Sequence, residues 1–269
     1  MRRFMGSLFR KRTVFFIFYI ASIFVLAAAA FFSVRQNAED TVWAALSEEL
    51  SVPSSSEPSA EEKIVYLTFD DGPSPLTPRI LDILKAYQIR ATFFVTGINP
   101  ECAQYIRTAY DEGHVIGMHT YSHDYEEIYS SAEAYYEDLA KISQLCMEQI
   151  GYVPNYIRFP GGSSNSVSLQ YSPGLMTLLT QEVTEKGYRY FDWNAVCGDG
   201  EGNFTAEELI ENATDTAGKN RIVLLCHDGR GKDTTADALP QIIEYYRSHG
   251  YAFKTVSDFS ETMNHRVKN

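Results

Sequence analysis

Residues 63–73 read KIVYLTFDDGP. The run from Ile64 to Phe69 is aliphatic, aromatic and β-branched, which reads as a buried strand. It ends in two carboxylates, a glycine and a proline, the chemistry of a turn. Downstream, short apolar runs of the same kind recur at ATFFVTG (91–97), HVIGMH (114–119), YIRF (156–159), YRYFDW (188–193), RIVLLCH (221–227) and YAFKTV (251–256). Between them lie amphipathic stretches with helical spacing: Pro78–Tyr87, Asn99–Glu112, Ala132–Ile150, Pro173–Lys186, Thr205–Ala217 and Asp233–His249. Thr205 and Glu208 form a capping-box pattern. Strands alternating with helices of this length imply an α/β fold with a parallel sheet. Seven strand candidates fit a closed or nearly closed barrel with outer helices, and an open doubly wound sheet is the alternative. No GxGxxG follows a strand, so no dinucleotide site is expected.

The composition agrees with one large folded domain. Of 269 residues, 45% are apolar and 22% charged, which excludes a disordered chain, a collagen repeat and a coiled coil. The net charge of −12 argues against a nucleic-acid binder that works by neutralising phosphates. That charge is unevenly spread. Arg2, Arg3, Arg10, Lys11 and Arg12 open the chain without an acidic residue among the first twelve, which leaves 18 basic against 35 acidic groups in the remainder.

Behind the basic cluster, Thr13–Phe32 is a run of 20 uncharged, mostly apolar residues. As a helix it would measure about 30 Å, the thickness of a bilayer core. The positive-inside bias keeps such an N-terminus cytoplasmic and puts the rest outside. A cleaved signal peptide is the alternative, with Ala27–Ala30 as the small residues at the cut. The length of the apolar run favours a retained anchor, and both readings export the domain. The stretch SVPSSSEPSAEEK (51–63) has the composition of a solvated spacer. The expected organisation is therefore a basic segment and transmembrane anchor over 1–35, a Ser/Pro/Glu-rich linker over 36–63, and a folded domain over 64–269. The expected location is a single-pass membrane protein with its folded domain outside, or a secreted one if the segment is removed. No protein partner is inferred.

The ends of the strand candidates carry reactive residue types. The first ends at Asp70 and Asp71, the third at His119 with His123 beyond it, and the fourth at Arg158 before Pro160-Gly161-Gly162. The fifth ends at Asp192-Trp193, and the sixth at His227-Asp228. C-terminal strand ends share one face in parallel α/β folds, so these groups should converge. Taken singly, each has an ordinary explanation: an acidic turn, a core histidine, a surface cation. Together they exceed what turn chemistry supplies. In HTYSH (119–123) the two imidazoles are four apart, one helical turn, so both can face one ion. Two histidines and one carboxylate leave a divalent metal, most naturally Zn²⁺, an open position for water. A second carboxylate and a separate histidine then suit hydrolysis of an amide or ester. A structural zinc site would close with four protein ligands, and only three candidates converge. His114, His249 and His265 are assigned no role.

The motifs TFDDGP (68–73), HTYSH (119–123), RFPGG (158–162), DW (192–193) and LCH (225–227) resemble, in order and spacing, those of the polysaccharide deacetylase family. This is also known as the NodB-homology family or carbohydrate esterase family 4. The resemblance covers roughly Lys63–Phe259. It implies a distorted (β/α) barrel of about seven strands and a metal-dependent deacetylase, peptidoglycan N-acetylglucosamine being the implied substrate. It implies Asp71, His119 and His123 as metal ligands, with Zn²⁺, Co²⁺, Mn²⁺ or Ni²⁺ as the ion and a metal-held water as nucleophile. Asp70 resembles the general base and His227 the general acid. Arg158 resembles the arginine that holds the base, and Asp192 the carboxylate that orients the acid. Trp193 and Leu225 resemble the walls of an acetyl pocket, and the Gly161 N–H an oxyanion donor. Two departures stand out: Gly161 lies where the family often has an aromatic residue, and Asp124 follows His123 where proline is common. An O-acetyl esterase acting on xylan or another glycan is the enzymatic alternative, and a sugar-binding module the non-enzymatic one. The even count of cysteines (Cys102, Cys146, Cys197, Cys226) permits disulfides in an exported domain. Four buried free thiols are expected, with Cys197–Cys226 the pair to test.

Overall fold

A computed structural model describes residues 62–216 and 218–269. The expected membrane segment and all but two residues of the expected linker lie outside the described residues. No described helix is long and apolar enough to cross a membrane.

All seven strand candidates are strands: β1 (Ile64–Asp70), β2 (Thr92–Thr96), β3 (Val115–Thr120), β4 (Tyr156–Ile157), β5 (Arg189–Tyr190), β7 (Arg221–His227) and β8 (Ala252–Lys254). A two-residue strand, β6 (Ala195–Val196), was not expected. The sheet runs β5-β4-β3-β2-β1-β7-β6 with every pair parallel, and β8 lies against Ile64–Tyr66 of β1.

The sheet curls into a half-barrel. Its edges, β5 and β6, do not pair, and residues 191–194 carry the chain across the gap between them. There the Phe191 N–H donates to the Ile157 carbonyl and the Asn194 N–H to the Val223 carbonyl, so each end of the crossing stays tied to its own side. This arrangement is the barrel expectation in an unsealed form, not the doubly wound alternative.

Alternation along β1 separates two cores. Val65, Leu67 and Phe69 face outward into a core shared with Ile80, Leu84, Ile142 and Leu239 of the helical layer. Ile64 and Tyr66 face the barrel interior with Phe94, Phe191, Val223, Val256 and Phe259. The same alternation carries Thr68 and Asp70 inward, so the first carboxylate is buried at the top of the interior, 2% exposed.

The helices are α1 (Thr77–Ala86), α2 (Gln104–Asp111), α3 (Tyr125–Ile128), α4 (Ala132–Ile150), α5 (Leu175–Glu185), α6 (Ala206–Thr214) and α7 (Asp233–Ser248). The Thr205–Glu208 capping box forms as the sequence predicts. Helix α4 is capped by the Ser131 hydroxyl and ends at left-handed Gly151. The single helix expected over Asn99–Glu112 is instead a 3₁₀ turn (Pro100–Cys102) followed by α2. Asn99 is held out of helical geometry by its side chain, which donates to the Pro73 carbonyl. Helix α3 was not expected; it starts where Asp124 accepts from the Glu126 and Glu127 N–H groups.

Candidate active site at the strand ends

β1 and β7 pair in register up to Asp70 opposite His227, which puts base and acid candidates side by side at one rim. Asp70 Oδ1 accepts from Arg158 Nη1 at 2.8 Å. Burial raises the Asp70 pKa, and the Arg158 guanidinium works against that rise. Arg158 is itself fully buried. Its remaining donors go to Thr68 Oγ1 (2.8 Å), the Phe191 carbonyl (2.8 Å) and the Asp192 carbonyl (3.2 Å). Its Cζ lies 4.2 Å from the Phe94 ring centroid. A buried cation this fully bonded is a fixed support for the Asp70 carboxylate.

Asp71 has a positive φ of 70°, which turns its side chain away from that of Asp70. One donor atom each from Asp71, His119 and His123 lies within 4.8 Å of the others. Asp71 Oδ1 is 3.2 Å from His123 Nε2 and 3.6 Å from His119 Nε2. That oxygen is buried without a hydrogen-bond partner. His119 Nδ1 sits 2.6 Å from the Arg158 carbonyl, which leaves Nε2 to face the cluster. Burial, followed by the charge of His123, lowers the His119 pKa to about 3, so its imidazole is neutral. An orphaned carboxylate oxygen beside two imidazole nitrogens is the donor set a divalent ion such as zinc takes.

The two histidines do not share a helical turn, as their spacing had suggested. His119 lies on β3, and His123 lies in the turn beyond it with a φ of 53°. Asp138 of α4 shapes that turn by accepting from the Tyr121 and Ser122 N–H groups at 2.5 and 2.9 Å.

His227 takes a different partner from the one its sequence position suggests. Its Nδ1 lies 2.7 Å from Asp199 Oδ1, not against Asp192. Asp199 Oδ2 accepts from the His227 N–H and from Thr235 Oγ1, both at 2.7 Å, and Lys232 Nζ donates to the Asp199 carbonyl. Burial alone would lower the His227 pKa, but the bond to Asp199 and its charge prevail and raise it to about 9. The Asp199 pKa is lowered: burial pushes it up, and the bond to His227 more than reverses this. Gly200 brings bare backbone against the imidazole, where a Cβ would stand 3.0 Å from His227 Cε1.

Asp192 has a different task. Its carboxylate accepts from the Ser163 N–H (2.8 Å), Ser163 Oγ (2.5 Å) and the His265 N–H (2.7 Å). It therefore fastens the turn after RFPGG to the C-terminal segment. His265 reaches Trp193 as well, with Nε2 2.5 Å from the Trp193 carbonyl. Trp193 packs edge-on against His265 and lies over Gly162 and the Arg158 guanidinium. Leu225 shares the inward face of β7 with His227, two residues below it.

Asp228, which ends the sixth run in the sequence and carries no role there, is a buried neighbour of the site. Its Oδ2 accepts from Thr77 Oγ1 at 2.6 Å and its N–H donates to the Asp70 carbonyl, which ties α1 to the DDGP turn. Burial pushes its pKa up to about 7. The four cysteines are free and buried. Cys197, just past β6, and Cys226, on β7, do not form the disulfide that their sequence positions allow.

The family model described as polysaccharide deacetylase matches residues 57–175. A peptidoglycan-N-acetylglucosamine deacetylase of Bacillus cereus is 32% identical over 206 residues, 74% of this chain and 71% of the relative. The catalytic domain of a peptidoglycan N-acetylglucosamine deacetylase from Eubacterium rectale superposes with a TM-score of 0.74 at 40% identity, covering 77% of this chain and 94% of that one. A family 4 acetyl xylan esterase from Clostridium thermocellum, solved in complex with a cobalt ion, superposes with a TM-score of 0.59 at 28% identity, covering 73% and 89%. The chain belongs to the polysaccharide deacetylase family, the NodB-type carbohydrate esterases of family 4, and is a hydrolase of that class.

Proposed function

We propose that the chain removes N-acetyl groups from N-acetylglucosamine residues of peptidoglycan. The observation that carries this reading is the convergence, on one rim, of a three-donor metal cluster, a buried arginine-held carboxylate and a carboxylate-held histidine. The proposed substrate follows the named activity of the Bacillus and Eubacterium relatives.

Asp71, His119 and His123 would hold a divalent ion, with Zn²⁺ the natural choice for this set and Co²⁺, Mn²⁺ and Ni²⁺ the alternatives. Bound there, such an ion acts as a Lewis acid that polarises an acyl oxygen and acidifies water. Asp70, pinned by Arg158, accepts the proton of the attacking water at Oδ2, the oxygen that Arg158 leaves free. The Gly161 N–H, which bonds to no described residue, donates to the acyl oxygen as it gains charge. His227 keeps its proton at neutral pH and delivers it from Nε2 to the departing amine, because Asp199 holds Nδ1. Leu225 and Trp193 supply apolar surface beside the acyl group. The departing amine is protonated near neutral pH, so the reaction adds positive charge to the wall.

Export and tethering are part of this reading. They rest on the 20-residue apolar run behind five basic side chains, with a spacer between it and the domain. The test is acetate release by the purified full chain from peptidoglycan, chitin oligomers and acetylxylan, with and without chelator. Chelator-sensitive release from peptidoglycan is the expected result. Release from acetylxylan alone would instead favour the O-acetyl esterase, and release from none the sugar-binding module.

A further inference from the structure

We infer that the Tyr125 hydroxyl is a second oxyanion donor, acting beside the Gly161 N–H, in the reaction proposed above and resting on that reading. Tyr125 opens α3, directly after the metal-ligand candidate His123 and the capping residue Asp124. Its ring packs edge-on against His123, centroids 5.6 Å apart, and against Tyr129 at 5.7 Å. Tyr129 is fully buried, and its hydroxyl donates to the Pro160 carbonyl at 2.7 Å. The Tyr125 ring is thus clamped between the metal cluster and the residue that anchors the RFPGG loop.

The clamp brings its hydroxyl to one spot. A Cβ built on Gly161 would stand 3.0 Å from Tyr125 Oη. Gly161 has a φ of 73°, so both conformation and space disfavour a side chain there. The space an aromatic side chain at 161 would enter is instead filled by a phenol arriving from α3. Neither the Gly161 N–H nor the Tyr125 hydroxyl bonds to any described residue. Two unspent donors beside each other and next to the metal cluster are what a developing oxyanion requires. A phenol is neutral and a donor at the pH of the reaction. No bond to Tyr125 forms or breaks; its O–H donates as the acyl oxygen gains negative charge.

The test compares the wild-type full chain, detergent-solubilised and loaded with zinc, with Tyr125→Phe. Phenylalanine keeps the ring packing on His123 and Tyr129 and removes only the donor. Two substrates are used, an N-acetylglucosamine oligomer and 4-nitrophenyl acetate, which has no sugar. An oxyanion donor predicts that kcat falls about 10²-fold on both, with KM within about twofold and bound zinc unchanged. A raised KM on the oligomer alone, with kcat intact, would make Tyr125 a sugar contact and overturn the inference. So would a rate loss matched by loss of zinc, which marks a structural role, or unchanged kinetics on both substrates. If the wild-type chain releases acetate from neither, the deacylase reading and this inference fall together; an active wild type with an unaltered variant sinks the inference alone.

Discussion

His119 and His227 stand at the ends of two strands of one sheet, and their surroundings drive them in opposite directions. The Nδ1 of His119 faces a backbone carbonyl, and burial keeps the ring neutral with a pKa of about 3. The Nδ1 of His227 faces a carboxylate, which overcomes burial and raises the pKa to about 9. A neutral imidazole ligates a metal and a protonated one gives up a proton, so the partner of the far nitrogen assigns the work. The two carboxylates of DDGP divide in the same way. Asp70 is neutralised by Arg158 and stays available as a base, whereas Asp71 keeps an unpartnered oxygen for an ion.

The most severe test of this division is Asp70→Asn. Loss of the base should cut acetate release by about 10³-fold or more while bound metal stays constant. Retained turnover would remove Asp70 from the base role.

Asp199→Asn addresses the other half. Without the carboxylate, burial dominates and the His227 pKa should fall from about 9 toward or below its ordinary value of about 6.5. kcat should drop about 10²-fold, and the alkaline limb of the pH–rate profile should move to lower pH. NMR titration of the imidazole in metal-free protein reads the shift directly. The sign for stability follows. The raised pKa of folded His227 contributes stabilisation that is complete below about pH 6.5 and lost as the pH rises through about 9. An unmoved His227 titration in the variant would break the comparison.

Asp192→Asn sharpens it from the other side. That carboxylate takes three hydrogen bonds from the 163–165 turn and the C-terminal segment, and none from His227. The variant should lose about 1–3 kcal/mol in denaturant unfolding and leave the His227 titration where it was. A shifted titration would return Asp192 to the role its sequence position suggested.

The smallest expected effect is in the thiols. All four cysteines should resist a thiol reagent in the native state and react on unfolding, and reductant should not alter the unfolding midpoint. A midpoint lowered by reductant would reveal a Cys197–Cys226 disulfide.

The strands and six of the site positions, Asp70, Asp71, His119, His123, Arg158 and His227, were legible because buried parallel strands write themselves as apolar runs that stop at polar residues. The acid's partner was not legible. The fifth run has the pattern of a strand through Trp193, which would put Asp192 at the rim beside His227. In the structure β5 stops at Tyr190, and the chain crosses the gap and pairs again as β6 beside β7. The Cys197 N–H then continues that ladder to the Leu225 carbonyl, so the residue that arrives beside His227 is Asp199. It sits in CGDGEGN (197–203), a glycine-rich stretch with neither periodicity, and nothing local marks it. The parts played by Tyr125 and His265 depend on packing between segments far apart in the chain, which periodicity does not encode. A four-residue helix such as α3 is too short to show a helical period at all.

The central claim is that Asp71, His119 and His123 grip one divalent ion on which acetate release depends. Metal content and acetate release measured together, on wild-type chain and on His119→Ala, test it most directly. The account predicts one tightly held ion per wild-type chain, and loss of both ion and turnover in the variant. A variant that keeps its ion, or a chelated wild type that goes on releasing acetate with no metal bound, would contradict it.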